Sequence, residues 1–136
     1  MHFLPDSLLP ENQEPLIIQA CPYGPQWLPS DSDDLPISMD AQVQKAVDCY
    51  NAGATVLHVH TREADGTGSK NLDTLKEFLT RLRAAVPKML LQVGGSVSFA
   101  PVEEGDPAKW LAFDKRHLLT ELTPKPDQVT IMINTN

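Results

Sequence analysis

The chain has 136 residues and a mass of 15.0 kDa, enough for one domain with a hydrophobic core. It carries 18 acidic residues against 11 Lys and Arg, for a formal net charge of −7. This acidic balance argues against nucleic acid or an anionic membrane surface as a partner. The lead-in residues 1–14 lack the basic and apolar regions of a signal peptide, so we expect a cytoplasmic protein without a membrane span.

The first predicted strand covers residues 16–21, an apolar run opened by Pro15. A long loop rich in Pro, Asp and Ser follows as far as Pro36, and loops of this length in compact domains are often functional. The strand ends at Cys21, at the edge where catalytic residues gather in α/β folds. No histidine partner is evident for it, so the sequence favours a packed, reduced thiol for Cys21 and for Cys49.

Two amphipathic helices are predicted, one on each side of a second strand. The first spans residues 39–52, with Ser38 as N-cap and Gly53 in the C′ position. The second spans residues 71–86, carries a stripe of leucines and stops at Pro87. Apolar spacing of three and four residues indicates that each helix packs one face against a sheet.

The later part of the chain continues the alternation. Strands are predicted over residues 89–94 and 129–134, and a helix over 107–122. The order β-α-β-α-β-α-β predicts a parallel sheet, which fits a doubly wound fold or part of a (β/α)₈ TIM barrel. A full barrel takes about 250 residues. We therefore interpret residues 1–136 as the N-terminal half of a single barrel domain, with residues 1–14 as its lead-in segment.

The second strand, residues 55–61, carries the pattern with the most chemical content. Alternation places His58 and His60 on one face, with their Cα atoms about 6–7 Å apart. The alternative is a solvated polar face, but helices on both sides of the strand imply a buried sheet. Imidazoles are preferred ligands of zinc, so the pair predicts a Zn²⁺ site. A catalytic zinc usually has three protein ligands, and no third one is convincingly placed in the sequence.

Two further features near the strand ends allow alternative interpretations. Arg62 could bind a substrate carboxylate, or it could form a structural ion pair with Glu63 or Asp65. The Gly94-Gly95-Ser96 run could let the backbone approach an anion, or it could be a simple turn. The sequence does not match the glycine spacings of nucleotide-binding loops, so a nucleotide site receives little support.

The run Asn51-Ala-Gly-Ala54, followed by His58-x-His60-x-Arg62-Glu63, resembles the β-keto acid cleavage enzyme family, typified by 3-keto-5-aminohexanoate cleavage enzyme. The likeness spans residues 15–98 and resumes near residues 113–116 and the last strand. It implies a homo-oligomeric, zinc-dependent TIM barrel that condenses a small β-keto acid with acetyl-CoA by acyl transfer. The implied products are a CoA thioester such as acetoacetyl-CoA and a new acid or aminoacyl-CoA fragment.

The resemblance also implies roles for individual residues. His58 and His60 become the zinc ligands, and the substrate-binding residues are Gln26, Arg62, Ser96 and Thr130. Two positions depart from the family pattern, because Gln26 replaces a glutamate and Gly94 stands where a gapless reading puts a serine. The family's third ligand, a glutamate, and its catalytic aspartate and arginine belong to later strands than those found here.

Two alternatives remain at this level. The chain could be a truncated, non-catalytic α/β fragment that binds metal, or it could belong to another metal-dependent barrel enzyme such as an amidohydrolase. In amidohydrolases the His-x-His pair ends the first strand, whereas here a strand and a helix precede it. We expect the isolated chain to be poorly soluble or oligomeric and inactive, because a half-barrel leaves its strand edges exposed.

Overall fold

The computed structural model describes residues 14–69, 71–94 and 116–130. The elements are β1 (Gln19–Ala20), α1 (Met39–Asn51), β2 (Val56–Val59), α2 (Leu72–Ala85), β3 (Leu90–Val93), a 3₁₀ helix (Arg116–Thr120) and β4 (Gln128–Val129). The alternating α/β organisation predicted from the sequence is confirmed for this part of the chain.

The four strands form one parallel sheet in the order β1-β2-β3-β4. Ala20 pairs with Leu57, and Gln92 pairs with His58 on one side and with Gln128 on the other. Each described strand therefore lies beside the strand that precedes it in the chain. A doubly wound sheet reverses its strand order at a switch point, and the described strands contain no such reversal.

One face of the sheet packs against the helices and forms the core. Alternation turns Leu57 and Val59 of β2, and Leu91 and Val93 of β3, towards this face. The same buried cluster contains Ala46, Ala54, Leu75, Phe78, Leu79, Leu82, Val86, Met89, Leu119 and Leu122. Burying a large aliphatic side chain contributes roughly 1.5–3 kcal/mol, so this layer supplies most of the driving force for folding.

The two α-helices begin and end within a residue or two of their predicted limits. Ser38 caps α1, because its Oγ accepts a hydrogen bond from the Ala41 N–H at 3.2 Å. Gly53 follows α1 with φ +98°, a left-handed conformation that glycine adopts without steric cost. Asn71 caps α2 in the same way by accepting from the Asp73 N–H at 2.9 Å. No described helix is both long and apolar enough to cross a bilayer.

The strands are shorter than predicted, most of all the first. The expected strand over residues 16–21 is reduced to Gln19–Ala20, and Leu16 and Ile17 are 81% and 75% exposed. The N–H groups of Thr55 and Val56 both donate to the Ile18 carbonyl, so the regular ladder ends there. The other strands keep to their predicted positions within two residues, although residues 131–134 of the last one lie outside the described part.

The predicted α-helix over residues 107–122 is corrected where the structure describes it. Residues 107–115 lie outside the described part, and Arg116–Thr120 form a 3₁₀ helix instead. Leu119 and Leu122 are three residues apart and both buried. Leu119 lies within the 3₁₀ helix and Leu122 lies two residues beyond its end, and both side chains join the hydrophobic core.

Asp127 connects β4 to β3 and to α2. Its Oδ2 accepts hydrogen bonds from the Leu91 N–H and from Arg83 Nη2, both at 2.7 Å. The Asp127 N–H also donates to the Leu91 carbonyl at 2.9 Å. Partial burial alone would raise the pKa of Asp127, but these hydrogen bonds and the Arg83 charge outweigh it and hold the pKa below its usual value. The ionised carboxylate therefore stabilises the β3–β4 pair.

We expect Asp127→Asn to lower the free energy of unfolding by about 1–2 kcal/mol at neutral pH, because two charge-assisted hydrogen bonds are weakened. The pKa of Asp127 is lower in the folded state. Its contribution is therefore present above the unfolded pKa of about 4 and is lost as the pH falls through the folded pKa. Thermal unfolding, followed by circular dichroism, should show that the stabilities of the wild type and the Asp127→Asn variant become equal at acid pH. The exposed Asp33→Asn is the matched control, and a difference independent of pH would contradict the explanation.

Candidate metal centre

Two histidine rings meet at the carboxyl end of β2. His58 lies in the strand and His60 lies one residue beyond it. Their ring centroids are 4.6 Å apart and the ring planes are inclined by 71°. Both side chains are half-buried. The rings converge on one small region, as their predicted common face requires.

A thiol joins the two imidazoles. Cys21 is the first residue after β1, and the potential ligand atoms of Cys21, His58 and His60 all lie within 4.8 Å of one another. The prediction of a packed thiol without a histidine partner is wrong for Cys21, which is exposed. The strand register is the reason. Ala20 pairs with Leu57, so Cys21, the residue that follows β1, lies beside His58.

Gln92 on β3 holds the His58 ring in one orientation. The Gln92 Nε2 donates to Gln128 Oε1 at 2.9 Å, which leaves its own Oε1 as an acceptor. That oxygen accepts from Gln19 Nε2 at 2.9 Å and lies 2.6 Å from His58 Nδ1. The His58 Nδ1 therefore donates, and Nε2 keeps the lone pair that a metal requires.

Gly94 forms the wall of the site opposite the two rings. It is buried and follows β3 directly. A Cβ atom at this position would lie 2.6 Å from His58 Nε2 and 2.6 Å from His60 Cε1, closer than real Cβ contacts. The sequence suggested only a turn or an anion contact here. One sequence signal could have located it. Gly94 directly follows the predicted third strand, which lies beside the strand that carries the two histidines.

Electrostatics keep His60 uncharged. Burial, followed by repulsion from His58 when that ring is protonated and from the Arg62 charge, lowers the pKa of His60 from 6.5 to about 4. The neutral imidazole is the form that binds metals. Partial burial also raises the pKa of the Cys21 thiol, which argues against a reactive thiolate unless a cation compensates for the charge.

The donor set fits a borderline divalent metal. With zinc–nitrogen and zinc–sulfur bonds of about 2.0–2.3 Å, the ligand atoms of a tetrahedral site lie roughly 3.5 Å apart. The ligand atoms of the three side chains lie within 4.8 Å of one another, so modest side-chain rotations would bring them to this separation. Imidazole and thiolate suit zinc and related transition metals, whereas magnesium and calcium prefer oxygen. The group formed by Cys21, His58 and His60 can therefore hold a metal ion.

Arg62 fastens the loop between β1 and α1 beside this centre. Its Nη1 donates to the carbonyl oxygens of Trp27 and Gly66, both at 2.7 Å, and its Nη2 donates to the Gly24 carbonyl at 2.8 Å. The residue is only 7% exposed. The guanidinium is thus engaged by backbone oxygens of two loops, and direct substrate contact by Arg62 remains a prediction.

The alternative of a local ion pair with Arg62 is wrong. The Glu63 carboxylate accepts a hydrogen bond from the Ser69 hydroxyl, and the Asp65 carboxylate accepts from the Thr67 N–H and hydroxyl. Within the described residues, neither carboxylate forms a salt bridge with the guanidinium. Both acids stabilise the turn after β2 instead.

The other predicted substrate-binding residues lie at different positions. Thr130 is exposed at the carboxyl end of β4, where its N–H donates to the Val93 carbonyl at 2.9 Å. Gln26 is exposed in the loop after β1. Ser96 lies outside the described residues. Thr130 therefore lies at the same end of the sheet as the two histidines. Substrate binding by Thr130, Gln26 and Ser96 stays a prediction.

Comparison with known proteins assigns the chain to a family. The family described as beta-keto acid cleavage enzyme matches residues 15–136. The chain belongs to the β-keto acid cleavage enzyme family. The resemblance carried by the Ala-Gly-Ala and His-x-His runs is thereby confirmed, and family membership decides against the amidohydrolase alternative.

The chain spans only about a third of the length of the curated relatives that it matches. The 3-keto-5-aminohexanoate cleavage enzyme of Acetoanaerobium sticklandii is 31% identical over 96 residues, covering 69% of this chain and 35% of that enzyme. The 3-oxoadipate:acetyl-CoA acetyltransferase of Cupriavidus necator is 32% identical over 93 residues, covering 68% and 33%. The 3-dehydrocarnitine:acetyl-CoA trimethylamine transferase of Rhizobium meliloti is 30% identical over 83 residues, covering 57% and 28%.

We expect Gln92→Met to weaken Zn²⁺ binding by roughly 10–100-fold, because His58 Nδ1 loses the acceptor that fixes its ring. Isothermal titration of the variant and the wild type with zinc measures the difference. The control is Gln44→Met on α1, where the side-chain amide donates a hydrogen bond to Asp48 on the same helix. Equal affinities for all three proteins would show that the His58 ring does not depend on the glutamine.

We expect Gly94→Ala to lower the amount of zinc bound per chain, because the new methyl group occupies the space between the rings and displaces them. Elemental analysis after loading and desalting provides the measurement. Gly24→Ala is the matched control, since a Cβ there meets nothing within 4 Å. A full complement of metal in the Gly94 variant would contradict the assigned position of the site.

Proposed function

We propose that this chain forms the metal-binding half of a (β/α)₈-barrel enzyme that cleaves a β-keto acid with acetyl-CoA by acyl transfer, with Zn²⁺ as its metal. One observation carries the proposal. The His58 and His60 rings converge at the carboxyl end of β2, in a parallel sheet of a chain that belongs to the β-keto acid cleavage enzyme family. Parallel α/β proteins bind their ligands at this edge.

The arrangement of the strands supports the barrel. The described strands follow chain order without reversal, as the strands of a (β/α)₈ barrel do. The sheet face opposite the core carries Gln19, His58, Gln92 and Gln128, which form a hydrogen-bonded polar layer. In a barrel this face would turn inwards, so its polar side chains would line the site and not meet solvent.

His58 and His60 would hold the zinc ion. When bound, zinc supplies a Lewis acid that polarises the keto oxygen of the substrate. Gln92 contributes by keeping the His58 Nε2 turned towards the site, and the missing side chain at Gly94 leaves room for the rings. Arg62 contributes by holding the Gly24 and Trp27 backbone, which fixes the loop that carries Gln26.

The names of the relatives indicate the substrate class. 3-Keto-5-aminohexanoate, 3-oxoadipate and 3-dehydrocarnitine share a carbonyl group β to a carboxylate and differ at the far end of the molecule. Two of these relatives are named for acetyl-CoA. We therefore assign to this protein a small β-keto acid and acetyl-CoA as substrates, with Gln26, Arg62, Ser96 and Thr130 as contact residues.

We expect His58→Ala or His60→Ala to reduce thioester formation by at least about 100-fold in the assembled barrel enzyme, because each change removes a metal ligand. The assay uses mass spectrometry to follow the formation of CoA thioesters other than acetyl-CoA, and the matching loss of acetyl-CoA, after β-keto acids are mixed with acetyl-CoA. His117→Ala, in the 3₁₀ helix, is the matched histidine control. If the assembled wild-type enzyme binds zinc but forms no new CoA thioester, the protein is instead a non-catalytic metal-binding protein.

A further inference from the structure

We propose that Cys21 is a protein ligand of the metal, so that this chain supplies a His₂Cys donor set and not two histidines alone. The inference rests on the proposed function only in taking His58 and His60 as the other ligands. It assigns a role to the Cys21 sulfur, which lies beside both histidines at the carboxyl end of the sheet. The potential ligand atoms of all three side chains lie within 4.8 Å of one another.

The strand register explains why Cys21 reaches the histidines. Gln19 pairs with Val56 and Ala20 with Leu57, so Cys21 follows in line with His58. Side chains alternate along both strands, which places Cys21 on the same face as Gln19 and His58. That face is the polar one, where Gln19 contacts Gln92. Cys21 therefore extends the row of polar groups that surrounds the rings.

Cys49 shows what a structural thiol looks like in this fold. It lies on α1, is partly buried and packs against the hydrophobic core. Cys21 is exposed, is absent from the core and lies beside two nitrogen donors. The difference in surroundings separates a packing thiol from a ligand. It also makes Cys49 a matched internal control.

A thiolate ligand would change the charge and the metal preference of the site in ways that two imidazole ligands alone would not. Coordination releases the thiol proton to solvent and places one negative charge on the metal. The softer sulfur favours Zn²⁺ and Co²⁺ over Mg²⁺ and Mn²⁺, which prefer oxygen ligands. Two histidines and one cysteine would bring the donor set of this chain to three, and the glutamate implied by the family resemblance would then be a fourth protein ligand.

Cobalt titration tests the assignment directly, because Co²⁺ bound to a thiolate shows a near-ultraviolet sulfur-to-metal charge-transfer band. We expect the band in the wild type and in Cys49→Ala, and its loss in Cys21→Ala and Cys21→Ser. Cobalt affinity in the Cys21 variants should fall by more than the roughly 10–100-fold typical of losing an outer-shell partner. Far-ultraviolet circular dichroism confirms that each variant is folded.

Alkylation of the wild type provides a measurement that needs no variant. Zinc should protect Cys21 from iodoacetamide and leave the reactivity of Cys49 unchanged, as peptide mass spectrometry can show. Cobalt bound without the charge-transfer band, or no protection of Cys21 while zinc is bound, would overturn the thiolate ligand and leave the histidine site standing. A wild type that binds neither metal would overturn both this inference and the proposed function.

Discussion

The register of β2 between β1 and β3 is the constraint on which the site depends. Backbone pairing aligns Ala20 with Leu57 and His58 with Gln92. A slip of one residue would turn every side chain of a strand to the opposite face. The register therefore brings Cys21, His58, Gln92 and Gly94 to one edge of the sheet, although they come from three separate stretches of the chain.

The two faces of the sheet have different roles, because one stabilises the fold and the other carries the side chains of the candidate site. The helix-facing side buries leucines and valines, each contributing roughly 1.5–3 kcal/mol. The opposite side carries glutamines and histidines whose hydrogen bonds contribute only about 0.5–1.5 kcal/mol each. Because the core layer supplies most of the stability, the polar layer is free to position the His58 ring through Gln92 and Gln128.

The long loop after β1 takes a fixed shape through a few polar contacts. Tyr23 adopts a φ of 60°, which is uncommon for a bulky residue, and its hydroxyl donates to Asp34 at 3.0 Å. Asp34 also pairs with Lys45 of α1 at 2.8 Å. Together with the Arg62 contacts to Trp27, these bonds hold the loop next to the candidate metal centre. A loop fixed in this way is suited to shaping a substrate pocket.

The sequence by itself determined the helices α1 and α2, the common face of His58 and His60, and the family. Helix caps, apolar stripes and strand alternation are local patterns, readable within a few neighbouring residues. Only the tertiary structure decided the short β1 strand, the nearness of Cys21, the space at Gly94 and the carbonyl partners of Arg62. These depend on register and on contacts between distant positions, such as Arg62 with Trp27 or His58 with Gln92. Local patterns carry no information about such pairings, because the packed sheet and its loops create them.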